Sequence, residues 1–440
     1  MPRARLAALL LACWLGAGGG PVAAATAAGT VIEAPPPTLS TGPAGAPVRL
    51  EGELAPQLRL FPERGALGED RLQPSLAGRL EYTRSWNGGR DALTVRSFLR
   101  VDAEDGRRTR GDLREAYVSH YGDSHELHAG LRRIFWGVVE SKHLVDVINQ
   151  VDLVEDLDEE TRLGQPMVQL VLPRDAGRLE LFWLPVARER TFPSRDGRPL
   201  GPVVIDGDGR FTASAAARLR SWAVRWSGWA GGLEYGIAHF SGPARDPRFE
   251  LAAEPAAGEP VRLRPVYELL SRSSLDAQYI VGDTALKLEL VARRGQGPAS
   301  TAFVAGLEHT LVGVFGSRAD LGLLAEYLFD DRGEDAPLLA FEHDVFLGVR
   351  LAPNDFAGSR LLAGAIVDHR TGETIVSVEA SRRLGRRWRL ALDLRSFSGS
   401  RRPPLGDAAA LVDPQAKWGL LRDEDHLQLE LTDRKSTRLN

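Results

Sequence analysis

The feature that most constrains this chain is alternation. Between residues 48 and 432, apolar and polar residues take turns over segments about ten residues long. Leu286, Leu288 and Leu290 alternate with Lys287 and Glu289, and Trp388, Leu390, Leu392 and Leu394 alternate with Arg389, Asp393 and Arg395. Leu427, Leu429 and Leu431 oppose His426, Gln428 and Glu430. A period of two places each set on one face of a strand, so the chain predicts an all-β protein. After residue 25 no run approaches the ~18 apolar residues of a membrane helix, which excludes a helical membrane protein.

A soluble sandwich also alternates, and three further features separate the two classes. The segments have the length a tilted strand needs to cross a bilayer. Their polar faces carry full charges on strand after strand, including Arg96, Arg100, Lys287, Glu289, Glu326, Arg350 and Glu379. Such residues suit a wet lumen. The third feature is loop parity. The predicted strands are 48–61, 75–86, 91–103, 112–121, 125–136, 167–172, 178–187, 217–228, 231–241, 274–281, 284–294, 301–312, 320–329, 344–352, 359–369, 373–382, 387–397 and 425–432. Every second connection is short, as at 87–90, 122–124 and 282–283, and the other set holds the long ones, 137–166, 188–216, 242–273 and 398–424. Short turns at one rim and long loops at the other are the pattern of an outer-membrane barrel entered from the periplasm. The expected fold is therefore a closed antiparallel transmembrane β-barrel of about eighteen strands, within a range of 16–18. Two features sit awkwardly with it: aromatic residues are only 7% of the chain, and 112–121 shows no clear lipid face.

The ends read differently. Arg3 and Arg5 precede an apolar stretch from Leu6 to Leu15, and Ala23-Ala24-Ala25 offers a small-residue cleavage site, so 1–25 reads as a secretory signal peptide. The single cysteine, Cys13, falls inside it, which excludes a disulfide scaffold and suits an oxidising envelope compartment. Residues 26–46 read as an Ala/Pro-rich flexible lead-in, and 47–432 as the barrel. From Asp433 to Asn440 the alternation stops, and this segment reads as a non-native, adapter-derived tail. The net charge of −4 is no footprint for a nucleic-acid binder.

The segment 136–166 is the most unusual in the chain. It carries Glu140, Lys142, Asp146, Asn149, Asp152, Glu155 and Asp156 together with an apolar set, Leu144, Val147, Ile148, Val151, Leu153, Val154 and Leu157, that must bury a face somewhere. Folded into the lumen, it would constrict the pore and turn its acidic edge toward inward arginines. Packed on the rim, it would be a cap with solvated carboxylates. The expected lumen and constriction residues are thus Glu140, Lys142, Asp146, Asn149, Asp152, Glu155, Asp156, Arg96, Arg100, Lys287, Glu289, Arg350, Glu379 and Arg389. The wall charges Lys287/Glu289 and Arg389/Asp393/Arg395 are also expected to pair among themselves.

Enzyme signatures are weak. His120, His125 and His128 lack the i, i+4 pairing of a zinc-protease helix, and Asp206-Gly207-Asp208-Gly209-Arg210 lacks the downstream glutamate of a calcium loop. No serine elbow, phosphate loop or dinucleotide fingerprint is present, and no Ser/His pair stands out on a lipid face. The reading is a non-enzyme without cofactor or metal.

The chain resembles a family of poorly characterised proteobacterial outer-membrane proteins of the porin-like superfamily. The resemblance rests on Phe135-Trp136-Gly137-x-x-Glu140-Ser141, His143-Leu144-Val145-Asp146-Val147-Ile148-Asn149-Gln150 and Arg162-Leu163-Gly164-Gln165-Pro166-Met167-Val168, with Pro353-Asn354-Asp355 and Leu384-Gly385 in support. It implies fold and an outer-membrane location, with lipid and the barrel assembly machinery as partners, and beside some similar barrels an inner-membrane exporter. Such barrels end in an aromatic residue read by that machinery, and this chain does not. The function expected is a pore for small solutes. The alternatives are a plugged-lumen partner of an export or assembly system, and a secreted soluble β-protein binding carbohydrate.

Overall fold

The computed structural model describes residues 48–212, 221–255, 258–333, 341–408, 411 and 417–439. The expected signal peptide and lead-in lie outside them. In chain order the strands are β1 (Val48–Leu60), β2 (Leu72–Trp86), β3 (Asp91–Asp102), β4 (Arg110–Tyr121), β5 (Glu126–Arg132), β6 (Gln165–Arg174), β7 (Gly177–Leu184), β8 (Val203–Ile205), β9 (Arg210–Phe211), β10 (Ser221–Ala230) and β11 (Leu233–Pro243). They continue with β12 (Arg248–Leu251), β13 (Val261–Tyr267), β14 (Leu269–Val281), β15 (Thr284–Arg294), β16 (Ser300–Leu311), β17 (Asp320–Asp330), β18 (His343–Ala352), β19 (Arg360–Asp368), β20 (Thr374–Leu384), β21 (Trp388–Ser398) and β22 (His426–Leu439).

Eighteen of these form one sheet, all but β8, β9, β12 and β13. Each pairs antiparallel with the next in sequence, and β1 pairs with both β2 and β22, which closes the ring. Closure leaves no strand edge, so backbone donors and acceptors are paired within the wall, the condition for crossing lipid. All eighteen expected strands are present, with ends shifted by a few residues. β22 runs beyond residue 432, and its register with β1 extends from Leu427↔Leu60 to Leu439↔Val48. Residues 433–439 therefore lie in the wall.

Outward faces are apolar and exposed: Leu54, Leu80 and Leu99 on neighbouring strands, Leu181 and Trp183, Leu286, Leu307, Leu323 and Leu347. Inward faces are largely polar, as in Gln57, Arg100, Gln169, Glu180, Asp276, Glu289 and Glu326. No helix among the described residues is long and apolar enough to cross a membrane, and the strands are what cross it. The chain is a transmembrane β-barrel. An even-numbered, single-chain antiparallel barrel with short turns at one rim and long loops at the other is a bacterial outer-membrane architecture. The short connections, such as 231–232 and 282–283, define the periplasmic rim, and 133–164, 185–220, 244–268 and 399–425 all leave the opposite rim.

The ambiguous face of β4 has a local cause. Arg96 pairs with Glu115 and Ser97 with Leu113, so Arg114 is an extra residue, a β-bulge. Arg114 and Glu115 are both buried, and the alternation changes phase between them. Leu113 and Val118, an odd number of positions apart, can then both face outward.

Over the long-loop rim, β13 pairs antiparallel with β12 and parallel with β8 and β9. This small sheet was not expected from the sequence. Its core of Phe192, Val203, Ile205, Val261 and Leu263 takes in Leu420 from 399–425 and Leu153 from the 133–164 connection.

Candidate functional site

The connection 133–164 lodges inside the barrel. It begins where β5 stops after seven residues, shorter than the expected 125–136. Ile134 and Trp136 then turn inward and are buried. Asn149, fully buried, holds the two ends of the connection together: its Oδ1 accepts the Ile134 N–H (2.8 Å), and its Nδ2 donates to the carbonyls of Arg132 (2.9 Å) and Leu163 (2.8 Å). Gly137 has φ +155, and a Cβ there would lie 2.8 Å from His143 Nδ1, so the turn into the lumen needs glycine.

Apolar burial fixes the connection to one sector of the wall. Val145, Val147 and Ile148 pack against the inward residues Met167, Phe182, Leu184, Ala223, Ala238, Phe240, Val291 and Ala302. Val139 packs against Val304, Leu324, Leu328 and Phe346. The inner wall thus offers apolar patches where the connection docks.

Two wall carboxylates then satisfy the connection's backbone donors. Glu289, at the middle of β15, accepts the N–H groups of Val138 (2.8 Å), Val139 (3.3 Å) and Val145 (3.0 Å). Glu326, at the middle of β17, accepts those of Glu140 and Ser141 (2.8 Å each) and the Ser141 hydroxyl (2.5 Å). A buried N–H left unmet costs ~1–3 kcal/mol, so these acceptors decide whether the segment can stay there.

The acidic edge meets arginines. Glu155 pairs with Arg100 (2.9 Å), Asp152 with Arg114 (2.6 Å) and Arg110, Asp158 with Arg395 (3.0 Å), and Glu140 with Arg350 (2.5 Å). Lys142 pairs with Glu159, and Asp146 with Arg162 (3.0 Å), both within the connection. Against the cost of burial, Arg114 and Arg110 hold the Asp152 carboxyl below its usual range. Burial raises that of Asp146, with Arg162 opposing. Burial disfavours an imidazolium at His143, yet the Glu289 carboxylate beside it (3.8 Å) holds its pKa above the usual value.

Of the wall residues singled out in the sequence, Arg100, Glu289, Glu326 and Arg350 touch the connection. Arg96 bonds instead to Glu81 (3.0 Å) and Glu115 on the wall. Glu379 pairs with Arg395 (2.7 Å), and Arg389, exposed near the periplasmic turn, donates to Ser381 Oγ (2.9 Å). The expected Lys287–Glu289 pair does not form: Lys287 pairs with Glu308 (2.9 Å) and Glu289 serves the connection. Among Arg389, Asp393 and Arg395, the latter two do pair (3.0 Å). Arg395, expected only to pair along its own strand, also reaches Asp158 of the connection, and Arg59, Arg110, Arg162 and Glu308 belong to the same network without having been singled out. The inward positions of Arg59, Glu308 and Arg395 were legible from strand phase, and their partners were not.

Between the charged sector (β1–β4, β21 and β22) and the acidic edge lies a cavity of about 520 Å³. Six arginines line it, Arg79, Arg96, Arg100, Arg114, Arg133 and Arg434, against six carboxylates, Glu51, Glu53, Glu81, Glu155, Asp156 and Glu430, so its walls are close to neutral overall.

The histidines near β5 serve local bonds. His120 bonds to Asp91 (2.7 Å) and His128 to Ser119 Oγ (2.7 Å). Asp206 pairs with Arg262 (3.1 Å) and Arg264 (3.5 Å). Asp156, Asp158 and Asp393 bring carboxylate oxygens within 4.8 Å of one another, and Arg395 bonds to two of the three. One outward Ser/His pair does exist, which strand phase did not single out: His239 Nδ1 and Ser273 Oγ are 2.9 Å apart, with Ser271 Oγ 3.4 Å from the other ring nitrogen in place of a carboxylate.

No family description matches the chain, and no curated protein does. Among solved structures it is similar to Pseudomonas aeruginosa OccD3 (OpdP), with 9% identity, 89% of this chain and 92% of that one covered, and a TM-score of 0.49. It is similar to OpdQ of the same organism (11%, 90% and 98%, 0.49) and to its OccK7 (OpdD) (13%, 90% and 100%, 0.48). At these identities and TM-scores, the barrel rests on its own strand pairing rather than on the likeness.

Proposed function

We propose that the chain is an outer-membrane pore that passes small polar solutes along one side of its lumen, constricted by 137–166. The division of the inner wall carries this reading. The connection docks on an apolar sector, and a charge-lined cavity of about 520 Å³ is left beside it. A pore that needed only to be closed would gain nothing from a cavity lined by so many ionisable groups, since burying them is costly. With six arginines and six carboxyl groups lining the path, the field is one of local pairs, favouring polar or zwitterionic solutes over strongly charged ones.

The test is planar-bilayer conductance of the refolded barrel, comparing the wild type with Arg96→Ala and Glu81→Ala. Discrete conductance steps whose ion selectivity shifts in opposite senses in the two variants support the reading. An electrically silent wild type opposes it.

A plugged lumen serving an export or assembly partner is the second reading. It is favoured by the packed cover at the long-loop rim, where Lys417 of 399–425 is held by Asp344 (2.9 Å) and Asp368 (2.5 Å).

A further inference from the structure

A second, smaller cavity of about 70 Å³ lies on the apolar-sector side of the connection, and Arg272 lines it. Arg272 is 6% exposed, and its Nε and Nη2 have no hydrogen-bond partner among the described residues. The strand register makes this worse. Arg272 on β14 stands directly opposite Arg293 on β15, with both side chains inward. Like charges facing each other across a strand pair repel, and a buried guanidinium whose donors are unmet is costly.

The nearby carboxylates are already engaged. Asp330 takes Arg293 (3.2 Å) and Arg332 (2.7 Å), Asp246 takes Arg190 (2.5 Å), and Asp146 has Arg162 at 3.0 Å. What is left is a guanidinium with two free donors, a second guanidinium beside it, and room for a few water-sized bodies.

We propose that Arg272 and Arg293 share a small resident anion, a halide or a small oxyanion, which relieves their repulsion and fastens the connection 133–164 to the wall. The ion is structural. The proposal stands whether or not the lumen conducts, because it concerns only the packing of the connection.

The experiment is thermal unfolding of the detergent-refolded full chain at fixed ionic strength, with gluconate replaced stepwise by chloride, acetate or phosphate. Arg272→Met is measured alongside. The midpoint of the wild type is expected to rise saturably with at least one anion. The anion with the lowest half-saturation identifies the occupant, and Arg272→Met is expected to lose the response. A wild-type midpoint indifferent to all three, or an equal response in the variant, overturns the proposal. Should Arg272→Met fail to refold, bromide anomalous scattering from crystals of the wild type decides. A peak within hydrogen-bond distance of Arg272 supports the site, and no bromide peak together with no density there for an oxyanion overturns it.

Discussion

Glu289 and Val145 are 144 positions apart in the chain, and the carboxylate of the first accepts the backbone N–H of the second at 3.0 Å. With the N–H groups of Val138 and Val139 on the same carboxylate, this anchors the lumen connection to the centre of the wall. Glu289→Ala should leave the barrel assembled and free the connection, at ~1–3 kcal/mol per buried donor left unmet. Limited proteolysis read against heat-modifiable gel migration checks it: cleavage within 137–166 should appear while the compact unboiled band persists.

The apolar half of the anchor should matter as much. Ile148 is fully buried against the wall, and Ile148→Ala should cost ~2–5 kcal/mol of the connection's docking energy. The same proteolysis assay should show faster cleavage at unchanged barrel migration. A variant as resistant as the wild type would mean that the hydrogen bonds alone hold the segment.

The faces of the wall can be tested on one strand. Leu288 points to lipid at the middle of β15, and Leu288→Arg should impair assembly, since a midplane charge costs ~2–4 kcal/mol. Its neighbour Lys287 is buried in the lumen against Glu308, and Lys287→Ala should fold and alter conductance. Equal folding defects would count against the assigned faces.

The rim cover carries a titrating group. Glu424 is almost fully buried, and burial raises its carboxyl from the ordinary 4.5 to about 7, with Arg198 (2.9 Å) opposing. A carboxyl raised in the folded state adds stability that is fully present below pH ~4.5 and is lost as pH rises through about 7. The unfolding midpoint should therefore fall across that window, and Glu424→Gln should flatten this part of the profile. A variant with the same slope as the wild type would place the titration elsewhere.

The wall was legible because its signal is geometric. Lipid outside and water inside impose a period of two on every strand, and Leu286 to Leu290 show it without any knowledge of partners. The phase was lost at β4, where the extra Arg114 flips the pattern mid-strand, a change that only the pairing of Arg96 with Glu115 reveals. For 137–166 the sequence showed what had to be buried and which charges needed partners. It could not show that Asp158 meets Arg395 from 237 positions away, because such a contact depends on barrel closure rather than on any local pattern. The small sheet over the rim escaped for a similar reason, since its two- to four-residue strands β8, β9 and β12 carry too few alternations to read.

The most direct test of the central claim is single-channel conductance across a planar bilayer, for the wild type and for a chain in which 138–161 is replaced by a short Gly/Ser bridge. A pore narrowed by its own connection predicts discrete steps from the wild type and larger steps from the replacement. A silent wild type beside a conducting replacement would contradict it and make the connection a plug, and silence from both assembled proteins would remove the pore altogether.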